Sequence, residues 1–365
     1  MAKLRYVSLF SGIEAVSCAL DHEVWEPVAF SEIDPFPSAV LAHHYPNVPN
    51  LGDITKIDWT PYVDTIDVVW GGSPCQSFSL AGDRSGLKGA SGLMFEFVRA
   101  VRELCPHWFV WENVPGALSS ENGNAFRQLL QSMDEGGYGL AWRVLDAQFF
   151  GVAQRRERVF LVGSLGTMRC ADVLFEREGM PWDYSPSREK RKALAGESSE
   201  RVGNADSRAG EQLTVGLDFH QQDARIRVSK QPDLCGTITA HAGTGGNNVP
   251  MVMCRADTQA NAATGENLDP TLMAHASHDA PYIYRKAQTL QNRSDMADGS
   301  MTIRRLTPTE CERLQGFPDG WTYIPYKGKP HPSDTVRYKA LGNSMAVPVM
   351  RRIGERIIIF DEGSK

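Results

Sequence analysis

The sequence predicts a doubly wound α/β fold carrying a smaller, mainly β second domain, and three observations point to it. Apolar strand candidates within the first 163 residues are separated by helical stretches, the pattern of a parallel sheet built from crossovers. Beyond Gly163 the texture changes, and residues 213–303 are rich in Thr, Ala, Gly, Asn and His without helical periodicity. A chain of 365 residues is also long for one domain and suits two lobes.

The elements follow in order. Leu4–Phe10 is a short apolar run ending in Ser11-Gly12, and a helical pattern follows through Ala15, Val16, Ala19 and Leu20. Pro27–Phe30 is the second strand candidate and Ser38–His44 the second helix. Asp67–Trp70, Trp108–Trp111 and Val159–Val162 are further buried-strand runs. Ligands of such a sheet belong beyond the carboxyl ends of its strands. Residues 185–212 are polar and charged and read as a surface insertion or mobile loop. Gly236–Ala242 is echoed by Pro270–Ala276, and each copy leads through a polar turn and a proline (Pro250, Pro281) into a short apolar strand. Two copies make a small β unit but not a solenoid. Helical periodicity returns at Thr307–Gln315 and Met345–Ile359.

Composition narrows the class. At 42% hydrophobic and 22% charged residues, global disorder is excluded. No apolar stretch reaches the roughly 18 residues that a membrane span needs. The N-terminus lacks a leader pattern, so a reduced, cytoplasmic protein is expected. Seven scattered cysteines without a C-x-x-C pair argue against a disulfide scaffold and against a thiolate zinc site. His241, His275 and His278 with Cys254 have no recognisable zinc spacing, so no metal is expected. The net charge of −6 hides an asymmetry: residues 1–163 carry −7 and residues 285–352 carry +6. The basic segment is either a polyanion-binding face or a solvated surface.

Several residues are placed for chemistry. Gly12 closes the first strand–helix turn and Glu32 follows 20 residues later, where an acid can take hydrogen bonds from ribose hydroxyls. Glu14 and Ala15 stand where further glycines would help, and an acid there repels a pyrophosphate. A nucleoside ligand without phosphates fits better than a dinucleotide, although an ordinary βα turn carries the same glycine. Asp53 would end a third strand and could accept a hydrogen bond from an adenine amine. Cys75, in Gly71–Ser79, follows a strand directly and is placed as a nucleophile beside glycines that admit a ligand. Glu112-Asn113-Val114 ends an apolar strand, so burial should raise the carboxyl pKa. Gln154–Arg158 puts three arginines before a buried strand, suited to an oxygen-rich substrate.

Taken in order, these residues resemble the motifs of the DNA cytosine-C5 methyltransferases of bacterial or phage type, from residue 7 to about residue 353. Leu9–Gly12 looks like the S-adenosylmethionine turn, Ser73–Gln76 like the nucleophile loop and Gln154–Arg158 like the arginine motif. Arg305–Glu310 with Leu314–Pro318, and Gly342-Asn343-Ser344, resemble the closing motifs. Two positions depart from the pattern: Ser8, where many members carry an acid, and Glu14-Ala15, where glycines are usual.

The resemblance implies a Rossmann-like methyltransferase domain at 1–163, a target-recognition domain at 164–319 and a return to the catalytic domain at 320–365. It implies Cys75, Glu112, Arg156 and Arg158 as catalytic residues, supported by Pro74, Gln76, Ser79, Asn113, Val114 and Gln154. S-adenosylmethionine would be held by Phe10, Ser11, Gly12, Ile13, Glu32, Ile33, Asp53, Ile54, Pro74, Asn343 and Ser344. The partner expected is double-stranded DNA, contacted by Arg155, Thr237, Thr239, His241, Thr271, His275, Arg304, Arg305, Lys327 and Lys339. A monomer is expected, serving restriction–modification or phage DNA protection. A tRNA cytosine methyltransferase is disfavoured by the absence of a Cys-Phe-Thr stretch and by the long segment before Arg305. A silent DNA-binding regulator is disfavoured by the intact Cys75, Glu112 and Arg158.

Overall fold

The computed structural model describes residues 3–74, 90–175, 215–220, 225–228, 238, 251–255 and 301–361. The chain divides into two compact units: Met1–Phe150 with Arg156–Ser185 and Ser344–Lys365, and Gly151–Arg155 with Pro186–Asn343.

The first unit is built on a six-stranded sheet of β1 (Leu4–Leu9), β2 (Trp25–Ser31), β3 (Val68–Gly71), β4 (Trp108–Asn113), β5 (Tyr138–Asp146) and β6 (Glu157–Leu165), in the order β2-β1-β3-β4-β6-β5. β2, β1, β3 and β4 pair in parallel, whereas β6 runs antiparallel to both β4 and β5. This corrects the expectation of a wholly parallel sheet. The segment between β5 and β6 has no crossover helix, and a direct return can only make an antiparallel pair.

The helices α1 (Ala15–Ala19), α2 (Pro35–His44), α3 (Ala90–Leu104), α4 (Asn124–Glu135) and α5 (Arg169–Leu174) belong to this unit. Asp34 starts α2: its carboxylate takes the Phe36 N–H at 3.3 Å, with Pro35 following in the first turn. Phe97, Val101 and Leu104 of α3 and Leu129 and Met133 of α4 share a buried cluster with Phe109, Trp111 and Leu161 of the sheet. Strands covered in this way read as unbroken apolar runs, which is why Val68-Val69-Trp70 and Trp108–Trp111 are conspicuous in the sequence.

In the second unit, β7 (Val215–His220), β8 (Arg225–Val228), β9 (Met251–Arg255) and β10 (Met301–Arg305) form an antiparallel sheet in the order β10-β9-β7-β8. β9 is the apolar strand expected after Pro250. The two echoed segments lie outside the described residues except for Ile238, which is buried. The segment 185–212 and the strand expected after Pro281 lie outside them as well.

Helices α6 (Pro308–Leu314) and α7 (Asp334–Asn343) also belong to this unit. Thr307 and Glu310 form a reciprocal capping box at the start of α6. Glu312, fully buried, accepts from Gly320 N at 2.7 Å and Thr322 N at 2.8 Å, and pairs with the buried Arg337 of α7 at 3.0 Å. Removing one partner of such a pair strands the other charge. Arg337→Ala is therefore expected to cost about 3–5 kcal/mol, read as a lowered urea midpoint. This network also ties residues 320–337 to α6, so the unit extends to Asn343 rather than ending at 319.

The chain then returns to the first unit as α8 (Val347–Asp361), which packs on α1 and α5. Trp108 Nε1 donates to Asp361 at 3.1 Å, and Arg169 donates to the Phe360 carbonyl at 2.7 Å. α5 packs on β5 and β6 as well, so residues 164–175 fold with the first unit and the expected boundary at 163 falls inside β6.

Candidate active site

The carboxyl ends of β1 and β2 meet at Ser11 and Ser31. Ser11 N donates to the Ser31 carbonyl at 3.1 Å, and Ser31 N donates back to Ser11 Oγ at 3.2 Å. Phe10, Gly12 and Glu14 all have positive φ, at 54°, 57° and 62°. Only glycine takes that conformation freely, so this turn is held by its surroundings. Glu32, just past β2, accepts from Gly12 N at 2.8 Å and from Asp34 N at 2.7 Å. Its pKa is raised by burial, against the lowering effect of these main-chain donors. A side chain added at Gly12 would meet nothing within 4 Å, and Ile33 beside Glu32 is 71% exposed. Ile13 and Ile54 are buried, which leaves their side chains to the core rather than to a ligand.

Asp53 does not end a strand. It caps a 3-10 turn at Ile54–Lys56, where its carboxylate takes Thr55 N at 3.1 Å and Thr55 Oγ1 at 2.8 Å and pairs with Lys56 at 3.1 Å. The short third strand lies later, at Val68–Gly71.

Next to the end of β1, β3 and β4 end side by side, with Gly71 opposite Leu9 on one side and Trp111 on the other. Gly72-Ser73-Pro74 continues from β3 along Glu112-Asn113-Val114. A Cβ at Gly72 would stand 2.8 Å from Glu112 Oε2 and 3.0 Å from Met345 Cε. The space that glycine leaves is filled by the protein's own carboxylate, not by a ligand's approach to the backbone. Asn113 Nδ2 donates to the Ser73 carbonyl at 3.0 Å, and Trp111 Nε1 donates to Ser73 Oγ at 3.1 Å. These bonds fix the segment that leads through the exposed Pro74 towards residue 75.

Glu112 Oε1 pairs with Arg158 Nε at 3.1 Å. Burial raises the Glu112 pKa, and the Arg158 and Arg156 guanidinium groups only partly offset it. Arg156 is buried, and its pKa falls to about 9 through that burial and through Arg158 nearby. Its Nη2 donates to the Ser344 carbonyl at 2.7 Å, and its main-chain N donates to Asp146 at 2.8 Å. Arg156 therefore holds the start of β6 to Ser344, while Arg158 is the arginine that reaches Glu112. Ser73, Asp146 and the function of Gly72 were not evident from sequence. Only the Gly-Gly pair after an apolar strand gave any signal.

The remaining expected residues divide by location. In the second unit, Gln154 is buried with neither amide atom hydrogen-bonded among the described residues, while Arg155 and Asn343 are exposed. Lys327 and Gly328 form a tight turn at which Tyr326 and Lys329 exchange main-chain hydrogen bonds of 3.0 Å. Lys327, Lys329 and Lys339 are exposed. Arg304 and Arg305 lie on β10. Cys75, Gln76, Ser79, Thr237, Thr239, His241, Thr271, His275 and His278 lie outside the described residues. Among the described residues there is no cluster of three or more groups able to hold a metal, and no helix long and apolar enough to cross a membrane.

Residues 4–359 match the family model of the C-5 cytosine-specific DNA methylases. A "DNA N-6-adenine-methyltransferase" of Escherichia phage P1 is 35% identical over 98% of this chain, which spans 61% of that protein's length. The type II methyltransferase M1.ScrFI of Lactococcus lactis subsp. cremoris is 30% identical, covering 100% of this chain and 80% of its own. Among solved structures, a Dnmt2 methyltransferase from S. pombe superimposes with a TM-score of 0.62 at 18% identity, over 98% of this chain and 100% of that one. This last likeness concerns the fold alone.

Proposed function

Because the chain belongs to the C-5 cytosine-specific DNA methylase family, which uses S-adenosylmethionine as methyl donor, we propose that it is a DNA (cytosine-5-)-methyltransferase acting through Cys75, Glu112 and Arg158. The observation that carries this reading is the largely enclosed Glu112 carboxylate, held between Gly72 and Arg158 beside the segment that leads to Cys75.

The residues at the ends of β1 and β2 fit the cofactor. Gly12 has open space, Glu32 keeps acceptor capacity beyond its main-chain donors, and Ile33 offers an apolar side chain to an adenine face. Glu32 would take the ribose hydroxyls and Asp53 the adenine amine, with Phe10, Ser11, Pro74 and Ser344 completing the pocket. Bound there, S-adenosylmethionine supplies an electrophilic methyl group.

The chain's own residues supply the rest. Cytosine C5 is a poor nucleophile, so the Cys75 thiolate first bonds to C6 and the C5–C6 π electrons move to C5. Glu112 hydrogen-bonds or protonates N3 as charge enters the ring, and its raised pKa suits it to carry that proton. Arg158 fixes the carboxylate and faces the O2 side of the ring. After C5 takes the methyl group, loss of the C5 proton and departure of Cys75 restore aromaticity. A duplex hides C5 and C6, so the base must be flipped out, at a cost of a few kcal/mol.

The second unit, with Pro186–Asn343 as its main part, is proposed as the target-recognition region, with Lys327 and Lys339 on DNA phosphates. Binding should then weaken steeply with salt, with a slope of about −0.9 per phosphate neutralised. Replacing both lysines by Ala should lower affinity for cognate and unrelated DNA alike and make that slope shallower. The enzyme is further proposed to act as a cytoplasmic monomer, protecting bacterial or phage DNA.

The reaction is tested by expressing the protein in a methylation-free host and analysing the nucleosides of its DNA, with bisulfite sequencing for context. 5-Methylcytosine at a fixed sequence supports the proposal. N6-methyladenine instead would give this chain the activity named for the phage P1 relative.

A further inference from the structure

The two places where this chain departs from the family pattern at the cofactor turn touch one another. Ser8 stands where many members carry an acid, and Glu14 where a glycine is usual. Ser8 Oγ donates to Glu14 Oε2 at 2.9 Å across the buried turn. We propose that Glu14 is a positioning residue for S-adenosylmethionine, whose carboxylate replaces the one missing at position 8 and shapes the turn that receives the cofactor. The inference rests on the reading that Gly12 and Glu32 hold the cofactor.

Glu14 is fully buried in the left-handed region, at φ 62° and ψ 64°. A non-glycine residue stays there only when its surroundings over-determine it. Three donors do so here. Glu14 Oε1 takes Ser17 N at 3.0 Å and Ser17 Oγ at 2.8 Å, and Oε2 takes Ser8 Oγ. One carboxylate thus ties β1 to the first turn of α1 across Phe10–Ile13. Behind it, the Tyr6 hydroxyl lies 2.7 Å from Ser17 Oγ, and Tyr45 also bonds to Ser17. This is a built network, and its centre lies two residues from Gly12.

The groups facing Glu14 are Tyr6 from β1, Ser17 and Cys18 from α1, Tyr45 beyond α2 and Glu32 beyond β2, with Arg351 of α8 acting on Cys18. Among the described residues no cation pairs with Glu14. Burial therefore raises its pKa to about 7, with the three hydrogen bonds opposing and Glu32 adding a little. An acid with a raised folded pKa contributes most below the ordinary carboxylate range, and that contribution is lost as pH rises through about 7. The ionised form, which can accept all three donors, is the one that shapes the turn. Stability therefore falls between pH 4.5 and about 7, whereas cofactor affinity rises as pH passes through about 7, where folded Glu14 ionises.

The test is titration calorimetry of S-adenosylhomocysteine binding to the full chain, with urea unfolding alongside. Glu14→Gln cannot accept all three donors. It should bind about tenfold more weakly at pH 8, be no less stable than wild type there, and lose the pH dependence of affinity. Ser8→Asp alone sets two carboxylates in contact and should also weaken binding by about tenfold or more. Ser8→Asp with Glu14→Gly returns the acid to position 8 and a glycine to the left-handed position, and should bind within about threefold of wild type. Glu32→Ala separates the two readings. If it binds as tightly as wild type, the cofactor turn itself is misassigned. If Glu32→Ala is weakened while Glu14→Gln matches wild type at every pH, or if the double variant is worse than both singles, the role of Glu14 is overturned. Glu14→Gln decides the matter alone should the double variant not fold.

Discussion

Cys75→Ser protein is expected to transfer no measurable methyl groups while holding duplex DNA and S-adenosylhomocysteine as tightly as wild type. The proposed reaction needs a thiolate to add at C6, and a serine hydroxyl is almost wholly un-ionised at neutral pH. The substitution removes one sulfur atom and no scaffold. Tritiated methyl incorporation reads the first effect, and anisotropy and calorimetry read the second. Methyl transfer surviving in Cys75→Ser at more than a small fraction of the wild-type rate would move the nucleophile elsewhere.

Glu112→Gln should lower kcat by roughly 10²–10⁴-fold, the range for loss of a positioned acid–base group. An amide can still hydrogen-bond to the ring but cannot carry its proton. Gly72→Ala tests the same group from the side, because its Cβ would stand 2.8 Å from Glu112 Oε2 and the carboxylate would have to move. It should lower kcat in the same direction with unchanged cofactor affinity. The pH dependence has a definite sign. Burial raises the Glu112 pKa, so the proton is kept to higher pH than on an ordinary glutamate. Wild-type kcat should fall as pH rises through that raised value, and the Gln variant should lose this limb.

The parts legible in the sequence are those whose signal is local. Val68-Val69-Trp70 and Trp108–Trp111 announce themselves because both faces of β3 and β4 are covered. Glu112 was readable as a carboxyl raised by burial because four apolar residues precede it in the chain. β5 was not legible, since Trp142 and Val144 on it remain 45% and 41% exposed and blur the alternation that marks a strand. Residues 334–343 carry no apolar stripe, and α7 is fixed instead by the Arg337–Glu312 pair, a tertiary contact. The reversed direction of β6 is likewise a matter of pairing rather than of composition. In the site, Asp53 read as a strand end but folds as the cap of a 3-10 turn, held there by bonds to Thr55. Arg156 and Arg158 look alike in sequence, and only their partners, the Ser344 carbonyl and Glu112, tell them apart. The departures at Ser8 and Glu14 look independent along the chain, and the bond between them is visible only in three dimensions.

The covalent step through Cys75 is tested most directly with duplex DNA carrying 5-fluorocytosine at the methylated position. Fluorine at C5 cannot leave as a proton does, so the elimination that frees the enzyme is blocked. Incubation with this DNA and S-adenosylmethionine should give a complex that survives denaturing electrophoresis, with the modified nucleotide mapping by mass spectrometry to the peptide containing Cys75. An enzyme that methylates ordinary cytosine at that site yet forms no denaturation-resistant complex with the fluorinated duplex would contradict the mechanism.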